Sequence, residues 1–375
     1  MKKILYCAST IEHIRNFHIP YLKVFYDKGY EVWVLANKTE PMPYTEHVVA
    51  FPFHKSFISI TNIKTIFTVR KLIKEHDFDI VSTHTTLAST IVRVGIKLLR
   101  RRPEVFHTCH GYLFHEKDGL RKWLYLLPEK ICASVTNNVM VMNHEDYEIA
   151  TKHKLYKGNL YYINGMGIDL SKFYPASQNE KKLQRMTYGY SENDFLLVYA
   201  AEFSKRKNQE LLIRAFANVC GKMPNAKLLL AGSGTLFENC KKLAHKLHIS
   251  KQTHFLGYVE DMRRLYIMCD VSVTTSRIEG LPFNVMESMA CGLPVIASDI
   301  KGHRELVESG KTGILFNSQD GDTTELENAL LMLYSYQNKR ETFCKEGIEK
   351  VKAYALQNVK GQIEQIYAIN DRGNL

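Results

Sequence analysis

The sequence has no apolar run long enough to cross a bilayer. The longest one, at residues 195–201, is far shorter than the roughly 18–20 residues that a membrane-spanning helix needs. The eight cysteines include no Cys-x-x-Cys pair, so the sequence predicts neither a disulfide framework nor a zinc site of that type, and it favours the cytosol. Residues 1–8 are interpreted as a buried strand rather than a signal peptide, because Glu12, His13 and Arg15 cut the apolar part short.

Neither a disordered nor a fibrous protein fits the composition. The 375 residues are 45% hydrophobic and 24% charged, as in ordinary globular proteins, and this length predicts two domains. Lysine and arginine outnumber the acidic residues by 11, and 8 of these excess charges fall within residues 1–165. The first half of the chain therefore carries most of the positive charge and favours an anionic partner.

Two groups of basic residues stand out in the first half. Arg100, Arg101 and Arg102 follow Lys97 at the end of an apolar helical stretch, residues 90–99. The second group consists of Lys117, Arg121 and Lys122. It adjoins four aromatic and aliphatic residues, Trp123, Leu124, Tyr125 and Leu126. Such patches suit an anionic membrane surface, but solvated helix ends above core aromatics are an equal alternative. No nucleic-acid-binding module accompanies the charge, so nucleic acid is not an expected partner.

Short β-branched or aliphatic runs alternate with amphipathic segments along the chain. This alternation predicts an α/β protein with two Rossmann-like, doubly wound parallel-sheet domains facing each other across a cleft. The predicted strands are 3–7, 31–36, 79–82, 104–108, 138–142, 195–200, 227–231, 253–256, 271–274, 294–297 and 313–316. The helices predicted in the second half are 208–220, 236–247, 261–269, 284–291 and 302–309. Turn-forming and charged residues near 170–192 predict domains over 1–170 and 171–355, with a last helix over 356–375 packing back on the first domain.

The most informative segment is residues 276–287, Ser-Arg-Ile-Glu-Gly-Leu-Pro-Phe-Asn-Val-Met-Glu. It leaves a predicted strand, passes Gly280 and Pro282, and enters a helix whose first amides can receive a diphosphate. Glu279 before the helix and Glu287 inside it can accept hydrogen bonds from the hydroxyls of a sugar and of a ribose. Taken alone, two solvated glutamates on a surface helix are the commoner arrangement.

Other motifs accompany this segment in a fixed order. Gly232-Ser233-Gly234 and Phe255-Leu256-Gly257-Tyr258-Val259 come before it, each after a predicted strand, and Ala290-Cys291-Gly292-Leu293-Pro294 follows it. In this order and spacing the motifs resemble the retaining glycosyltransferases of family four, most densely over residues 195–316. The resemblance implies the GT-B fold, with a nucleotide sugar bound mainly by the second domain. Residues 6–20 and Thr108-Cys109-His110-Gly111-Tyr112 resemble bacterial enzymes of exopolysaccharide and capsule synthesis.

The resemblance implies transfer of a hexose or N-acetylhexosamine from a nucleotide sugar, by family habit a UDP-sugar, to a polyprenyl-diphosphate-linked saccharide. With the basic first domain, it predicts a cytoplasmic enzyme in peripheral contact with the anionic inner face of the cell membrane. It assigns Glu279 to the donor sugar, Glu287 to the ribose and Lys207 to the diphosphate. The other positions carried over are His110 at the donor sugar, the amides of Leu281, Phe283 and Asn284 at the distal phosphate, Gly257, Tyr258 and Val259 at the base, and Gly232 and Gly234 where the backbone can approach the ligand.

The sequence departs from the family pattern near the diphosphate. Glu202 stands where many members have an arginine, five residues before Lys207. Either Lys205 or Arg206 then supplies the second positive charge, or Glu202 pairs with one of them. No Asp-x-Asp pair follows a predicted strand in a way that suggests a bound metal, so we expect transfer without a metal or other cofactor, with Lys207 and helix amides stabilising the leaving group.

Three further histidines are candidate site residues, and two rival functions fit the same sequence. His13 and His18 flank the first loop, where a capping or core role is commoner than a ligand contact, and His84 follows a predicted strand with the two roles equally weighted. One rival is another enzyme on the same fold, a sugar-nucleotide epimerase or a phosphorylase. The other is a non-catalytic, sugar-nucleotide-binding subunit of a synthase complex.

Overall fold

The computed structural model describes residues 1–53, 60–317 and 321–368, which form two compact units. The first unit combines Met1–Met166 with the chain from Val359 onward, and the second unit is Gly167–Asn358. The division lies within a few residues of the boundaries at 170 and 355 that the sequence suggested. Of the expected last helix, residues 369–375 lie outside the described residues.

The first unit is built on a seven-stranded parallel sheet in the order β3-β2-β1-β4-β5-β6-β7. The strands are β1 (Lys3–Cys7), β2 (Glu31–Ala36), β3 (His47–Ala50), β4 (Ile80–His84), β5 (Glu104–Thr108), β6 (Asn138–Val141) and β7 (Asn159–Tyr162). The central strands are buried on both faces, which explains their continuous apolar sequences. In the register, Leu5 of β1 lies opposite Trp33 of β2 and Val81 of β4. The order reverses between β1 and β4, and ligands of open α/β sheets bind beside such a reversal.

Helices cover this sheet. They are α1 (Ile11–Phe17), α2 (Ile19–Asp27), α3 (Ile60–His76), α4 (Thr86–Lys97), α5 (Trp123–Ala133) and α6 (His144–His153). Side chains cap two of them, because Thr10 accepts a hydrogen bond from the His13 amide and Asn143 accepts one from the Asp146 amide. Apolar side chains of α3 and α4 pack on the sheet and form the main core of the unit with it.

The second unit has a six-stranded parallel sheet in the order β10-β9-β8-β11-β12-β13. The strands are β8 (Phe195–Ala200), β9 (Ala226–Ala231), β10 (Thr253–Gly257), β11 (Val271–Thr274), β12 (Val295–Ser298) and β13 (Gly313–Phe316). The order reverses between β8 and β11. The loops that leave these two strands at their carboxyl ends are therefore the expected place for a ligand site.

The helices of the second unit come before, between and after these strands in the chain. They are α7 (Gln178–Thr187), α8 (Gln209–Val219), α9 (Phe237–Lys246), α10 (Met262–Met268), α11 (Phe283–Ala290), α12 (Lys301–Leu306), α13 (Thr324–Ser335) and α14 (Gln337–Val351). Apolar faces of α8 and α13 pack with β8, β9 and β11 in one core, in which Leu212, Phe216 and Leu330 are fully buried. The helix expected at 302–309 ends at Leu306, because Val307 already has an extended backbone.

A last helix, α15 (Leu356–Ala368), begins in the second unit, and from Val359 onward it belongs to the first. There the Tyr367 ring stacks on Phe106 with centroids 4.1 Å apart, and its hydroxyl lies 2.7 Å from the Ser82 hydroxyl. Across the described helices, none is both long and apolar enough to span a membrane.

Candidate active site

The loop that follows β8 carries three consecutive basic residues, Lys205, Arg206 and Lys207. The Tyr199 hydroxyl donates a hydrogen bond to the Lys207 carbonyl oxygen at 2.8 Å, and the Thr275 hydroxyl donates one to the Asn208 carbonyl oxygen at 2.8 Å. Asn208 adopts a left-handed backbone, with φ of 55°, immediately before α8. These bonds tie the loop to the end of β11 and fix the direction in which Lys207 leaves the backbone.

Glu279, in the loop after β11, lies between Arg206 and Lys207. Its Oε1 is 2.5 Å from Lys207 Nζ, and its Oε2 is 2.8 Å from Arg206 Nη1. The Glu279 side chain is only 9% exposed and that of Arg206 is 41% exposed. Burial alone would raise the pKa of Glu279, but the charges of Lys207 and Arg206 outweigh it and hold that pKa below its ordinary value. These three residues are named the charged cluster.

Glu202, which stands where many family members have an arginine, pairs with neither Lys205 nor Arg206. The Glu202 carboxylate is exposed and makes no ion pair with any described residue, whereas its carbonyl oxygen accepts a bond from Gln209 Nε2 at 2.8 Å. Lys205 is exposed and makes no ion pair within the described ranges either. Arg206 is thus the residue that supplies the second positive charge beside Lys207.

The amides expected at the distal phosphate lie at the start of α11. The helix begins at Phe283, and the preceding Pro282 offers no side-chain acceptor to its first turn. Leu281 is buried, whereas Phe283 and Asn284 are half-buried. A helix start without a capping side chain leaves positive dipole ends for an anion, which fits the role that the sequence assigned.

Helix α12 also contributes to this site, although no sequence motif indicated it. A Cβ at Gly302 would lie 2.7 Å from the carbonyl oxygens of both Glu279 and Gly280, so only glycine lets α12 pack against this turn. His303 is fully buried, and its Nδ1 donates to the Ser298 carbonyl oxygen at 2.7 Å. Burial lowers the pKa of His303 to about 4, so the ring is neutral at pH 7. Buried polar side chains at the ends of β11 and β12 were the available signal for this packing.

Glu287, the second carboxylate of the motif, lies one turn inside α11. It is partly buried, and the Tyr266 hydroxyl donates to its Oε2 at 3.3 Å. Burial raises the pKa of Glu287 to about 7, although the Tyr266 bond and the charge of Lys172 oppose the rise. Glu279 is therefore ionised at neutral pH, while Glu287 is near its midpoint.

The Gly-x-Gly turn after β9 lies close to the backbone of the loop that follows β8. Gly232 and Gly234 have φ of 133° and 149°, which other residues rarely adopt. A Cβ at Gly232 would collide with the Ala201 carbonyl oxygen, and one at Gly234 would collide with the backbone of Phe203. The glycines therefore hold the β8 and β9 loops together, and their expected contact with a ligand stays a prediction.

The loop expected at the base begins at the end of β10. Gly257 has φ of 68°, and its carbonyl oxygen accepts a bond from the Gly232 amide at 2.6 Å. Tyr258 is 80% exposed and Val259 is half-buried. An exposed ring of this kind suits stacking on a planar base.

In the first unit, four histidines meet at the carboxyl ends of β1, β4 and β5. His13 belongs to α1, His18 joins α1 to α2, His84 ends β4, and His110 follows β5. The ring centroids of His13 and His110 are 4.7 Å apart, those of His18 and His84 are 4.0 Å apart, and His84 Nδ1 is 3.3 Å from His110 Nε2. These residues are named the histidine cluster. His18 has the buried, helix-end position expected of it, since it is fully buried between α1 and α2, whereas the side-chain cap at the start of α1 is Thr10 and not His13.

Burial keeps the rings of the histidine cluster neutral. It lowers the pKa of His13 to about 4 and holds the pKa values of His18, His84 and His110 well below the ordinary value. Neighbouring imidazoles add to this effect, because each disfavours a positive charge on the next. A neutral ring keeps one nitrogen as a hydrogen-bond acceptor or metal ligand.

The structure separates the two basic groups of the first half. Arg102 donates to the carbonyl oxygens of Lys97 and Leu99 at the end of α4, and Arg101 pairs with Asp77 at 3.0 Å, so this group is a solvated helix end. The second group is different, because large apolar side chains beside it stay exposed. They are Leu120, at 88% exposure, and Trp123, Leu124, Leu127 and Ile131. With Lys117, Arg121 and Lys130 they are named the α5 surface.

Each half of the chain matches a known protein family. Residues 22–170 match the family described as Glycosyltransferase Family 4, and residues 180–350 match Glycosyl transferases group 1. The chain is 35% identical to EpsD of Bacillus subtilis (strain 168), which is named as a glycosyltransferase, over 89% of this chain and 87% of that protein.

Two further comparisons extend this result. The chain is 28% identical to the Escherichia coli UDP-Gal:alpha-D-GlcNAc-diphosphoundecaprenol alpha-1,3-galactosyltransferase, over 70% of this chain and 69% of that enzyme. Its fold matches the structure of Anabaena Alr3699/HepE in complex with UDP and glucose, with a TM-score of 0.78, 19% identity and coverage of 98% and 100% of the two chains. The chain therefore belongs to glycosyltransferase family four and is a glycosyltransferase with the two Rossmann-like domains of the GT-B fold.

Proposed function

We propose that the protein is a retaining enzyme that transfers a hexose or N-acetylhexosamine from a UDP-sugar to a polyprenyl-diphosphate-linked saccharide in exopolysaccharide or capsule synthesis. The UDP and glucose in the HepE structure support the donor, and the name of the E. coli relative supports a lipid-linked acceptor. The motifs at the start of the chain and around His110 support the biosynthetic setting.

The observation that carries the donor side of this proposal is the charged cluster. A buried carboxylate must stay paired, because removing its partner costs several kcal/mol. A diphosphate offers Lys207 and Arg206 another anion, and the uncapped start of α11 offers it amides beside them. On donor binding the two cations exchange partners, and Glu279 is left to accept hydrogen bonds from the sugar hydroxyls.

Bond cleavage in this site separates charge. The sugar ring becomes positive and the departing nucleoside diphosphate becomes more negative, so Lys207, Arg206 and the helix amides stabilise the transition state more than the ground state. The acceptor hydroxyl attacks from the face that the phosphate leaves, and the phosphate takes the hydroxyl proton, which retains the configuration. This path needs no nucleophile from the protein, and the positive groups of the site supply the charge that a metal supplies elsewhere.

Three other contacts complete the donor site of the proposal. Glu287, once ionised, accepts bonds from the ribose hydroxyls, and Tyr258 with Val259 faces the base. His110 contacts the donor sugar, as the family resemblance implies. Each assignment rests on the motif position and on the exposure or polarity of the side chain.

The α5 surface supports peripheral attachment to the inner face of the cell membrane. Apolar side chains enter the boundary of a bilayer, and each nearby Lys or Arg gains about 1 kcal/mol from anionic lipid. Leu120→Glu combined with Leu124→Glu should weaken binding to vesicles of phosphatidylglycerol and phosphatidylcholine by at least about tenfold. Leu183→Glu, at an exposed leucine of α7, is the control. Equal sedimentation of both variants with the vesicles would contradict the membrane assignment.

Product analysis tests the whole proposal. The purified chain is incubated with UDP-glucose, UDP-galactose and the two UDP-N-acetylhexosamines, with and without a polyprenyl-diphosphate-linked saccharide, after a thermal-shift screen for the sugar nucleotides that stabilise it. Label transferred to the lipid only when the acceptor is present is the expected result. An epimerised sugar nucleotide, or phosphate-dependent release of a sugar phosphate, supports a rival enzyme. Stabilisation without turnover supports the non-catalytic subunit.

A further inference from the structure

Two members of the histidine cluster hold buried nitrogens that have no hydrogen-bond partner among the described residues. His18 is fully buried, and within the described chain neither of its ring nitrogens has a hydrogen-bond partner. Nε2 of His13 is also buried and unpaired with any described residue. Each such atom costs about 1–3 kcal/mol, because its hydrogen bond to water is lost and not replaced. Orphaned polar atoms gathered at the carboxyl ends of strands point to a ligand that completes them.

The geometry of three of these rings suits a cation. His13, His18 and His110 each offer a nitrogen, and the three nitrogens lie within 4.8 Å of one another. Bonds of about 2.0–2.1 Å to a tetrahedral zinc ion would place such nitrogens roughly 3.4 Å apart, so a contraction of up to about 1.4 Å would close the set. Imidazole nitrogens prefer zinc and its transition-metal neighbours to magnesium or calcium, which prefer oxygen.

A hydrogen-bonded chain behind the set orients one of its members. The Tyr367 hydroxyl is 2.7 Å from Ser82 Oγ, which is 2.9 Å from His84 Nε2, and His84 Nδ1 is 3.3 Å from His110 Nε2. Second-shell bonds of this kind fix the ring orientation of metal-binding histidines. All four residues of this hydrogen-bonded series belong to the first unit.

We propose that His13, His18 and His110 form a binding site for a divalent transition-metal cation such as zinc, with its fourth position open. We do not assign zinc at this site a part in the glycosyl transfer reaction. His110 cannot hold a cation and contact a donor sugar at once, so zinc should inhibit transfer by competing with the donor. This consequence rests on the proposed function, whereas the binding itself does not.

Metal binding is measured directly on the full-length, chelator-stripped protein. Titration with Zn²⁺ against a chromophoric chelator should give one ion per chain, and Co²⁺ should give the visible absorption of a low-symmetry, nitrogen-rich site. His13→Gln and His18→Gln should each weaken Zn²⁺ binding by at least about 100-fold, the upper range for loss of a supporting group. His245→Gln, at an exposed histidine of α9, should bind Zn²⁺ as the parent does.

Folding and activity controls keep the outcomes distinct. Melting curves without metal show whether His18→Gln folds, and His13→Gln, at a partly exposed position, serves if it does not. No stoichiometric Zn²⁺ in the parent, or unchanged affinity in the folded variants, overturns the site. Zinc inhibition that a chelator reverses, and that His13→Gln weakens, supports the competition. If no sugar acceptor is ever found, the metal titrations still decide the site.

Discussion

The charged cluster of the second unit and the histidine cluster of the first differ in how their buried polar atoms are paired. Both carboxylate oxygens of Glu279 are in ion pairs, one with Lys207 and one with Arg206, whereas neither ring nitrogen of the buried His18 has a hydrogen-bond partner among the described residues. An unpaired buried charge costs several kcal/mol, but an unpaired neutral nitrogen costs about 1–3 kcal/mol. A fold can therefore leave buried neutral groups unpaired until a ligand binds. Buried charged groups must instead pair with each other and exchange partners when the ligand binds.

The largest effect should come from breaking the charged cluster. Lys207→Ala removes a cation that we propose for the leaving group, and it leaves Glu279 paired with Arg206 alone. We expect turnover at saturating donor to fall by at least about tenfold, which corresponds to about 1.4 kcal/mol of transition-state stabilisation. Glu279→Ala should fall by a similar factor. The measurement is the steady-state rate of lipid glycosylation, with a melting curve to confirm that each variant is folded.

Lys205→Ala is the matched control for this comparison. Lys205 lies in the same loop and carries the same charge, but it is exposed and unpaired within the part of the chain that the structure describes. Its rate should stay within about twofold of the parent, because exposed charges contribute little. If Lys205→Ala and Lys207→Ala lose the same activity, the pairing with Glu279 does not define the site.

A smaller effect should appear in the pH dependence of donor binding. The pKa of Glu287 is raised to about 7, so the carboxylate that we propose for the ribose hydroxyls forms as the pH rises through that value. Affinity for a UDP-sugar, measured by calorimetry, should increase by up to about tenfold between pH 6 and pH 8, as expected for a hydrogen bond to a charged group. Glu279, with its lowered pKa, stays ionised over this range and adds no slope.

Glu287→Gln sharpens this test. The amide cannot ionise, so its affinity should be flat between pH 6 and pH 8 and close to the weak affinity of the parent at pH 6. Glu341→Gln, at an exposed glutamate of α14, should keep the slope of the parent. A slope that survives in Glu287→Gln would assign the pH dependence to another group.

Two of the three residues of the charged cluster were predictable from the sequence, because one lies in an informative motif and the family resemblance named the other. Residues 276–287 contain Glu279 and Glu287, and their family resemblance named Lys207 as well. The choice of Arg206 over Lys205 was not predictable, since it depends on how the loop turns at Asn208. The pairing of Glu279 with both cations is a tertiary contact that spacing along the chain does not encode.

The histidine cluster was harder to predict because its members are far apart in the chain. Only the strand order brings His84 and His110 beside the α1 histidines, through the adjacent positions of β1, β4 and β5 in the sheet. The same limit applies to the fold, where β1, β2, β5, β8, β11 and β13 have the predicted bounds. The missed strands, β3 and β7, are the two edges of the first sheet, where partial exposure removes the apolar run that marks a strand.

The smallest effect should come from the bonded chain behind His110. Tyr367→Phe keeps the ring stacked on Phe106 and removes only the hydroxyl that bonds to Ser82. Loss of one such bond, worth about 1 kcal/mol, should lower turnover by roughly fivefold at most and shift the imidazole NMR signals of His84 and His110. Tyr354→Phe, which loses a bond to a carbonyl oxygen in the second unit, is the control and should shift neither. Slower turnover with unmoved imidazole signals would mean that Tyr367 does not position His110, and the contrast between a paired and an open cluster would then rest on His13 and His18 alone.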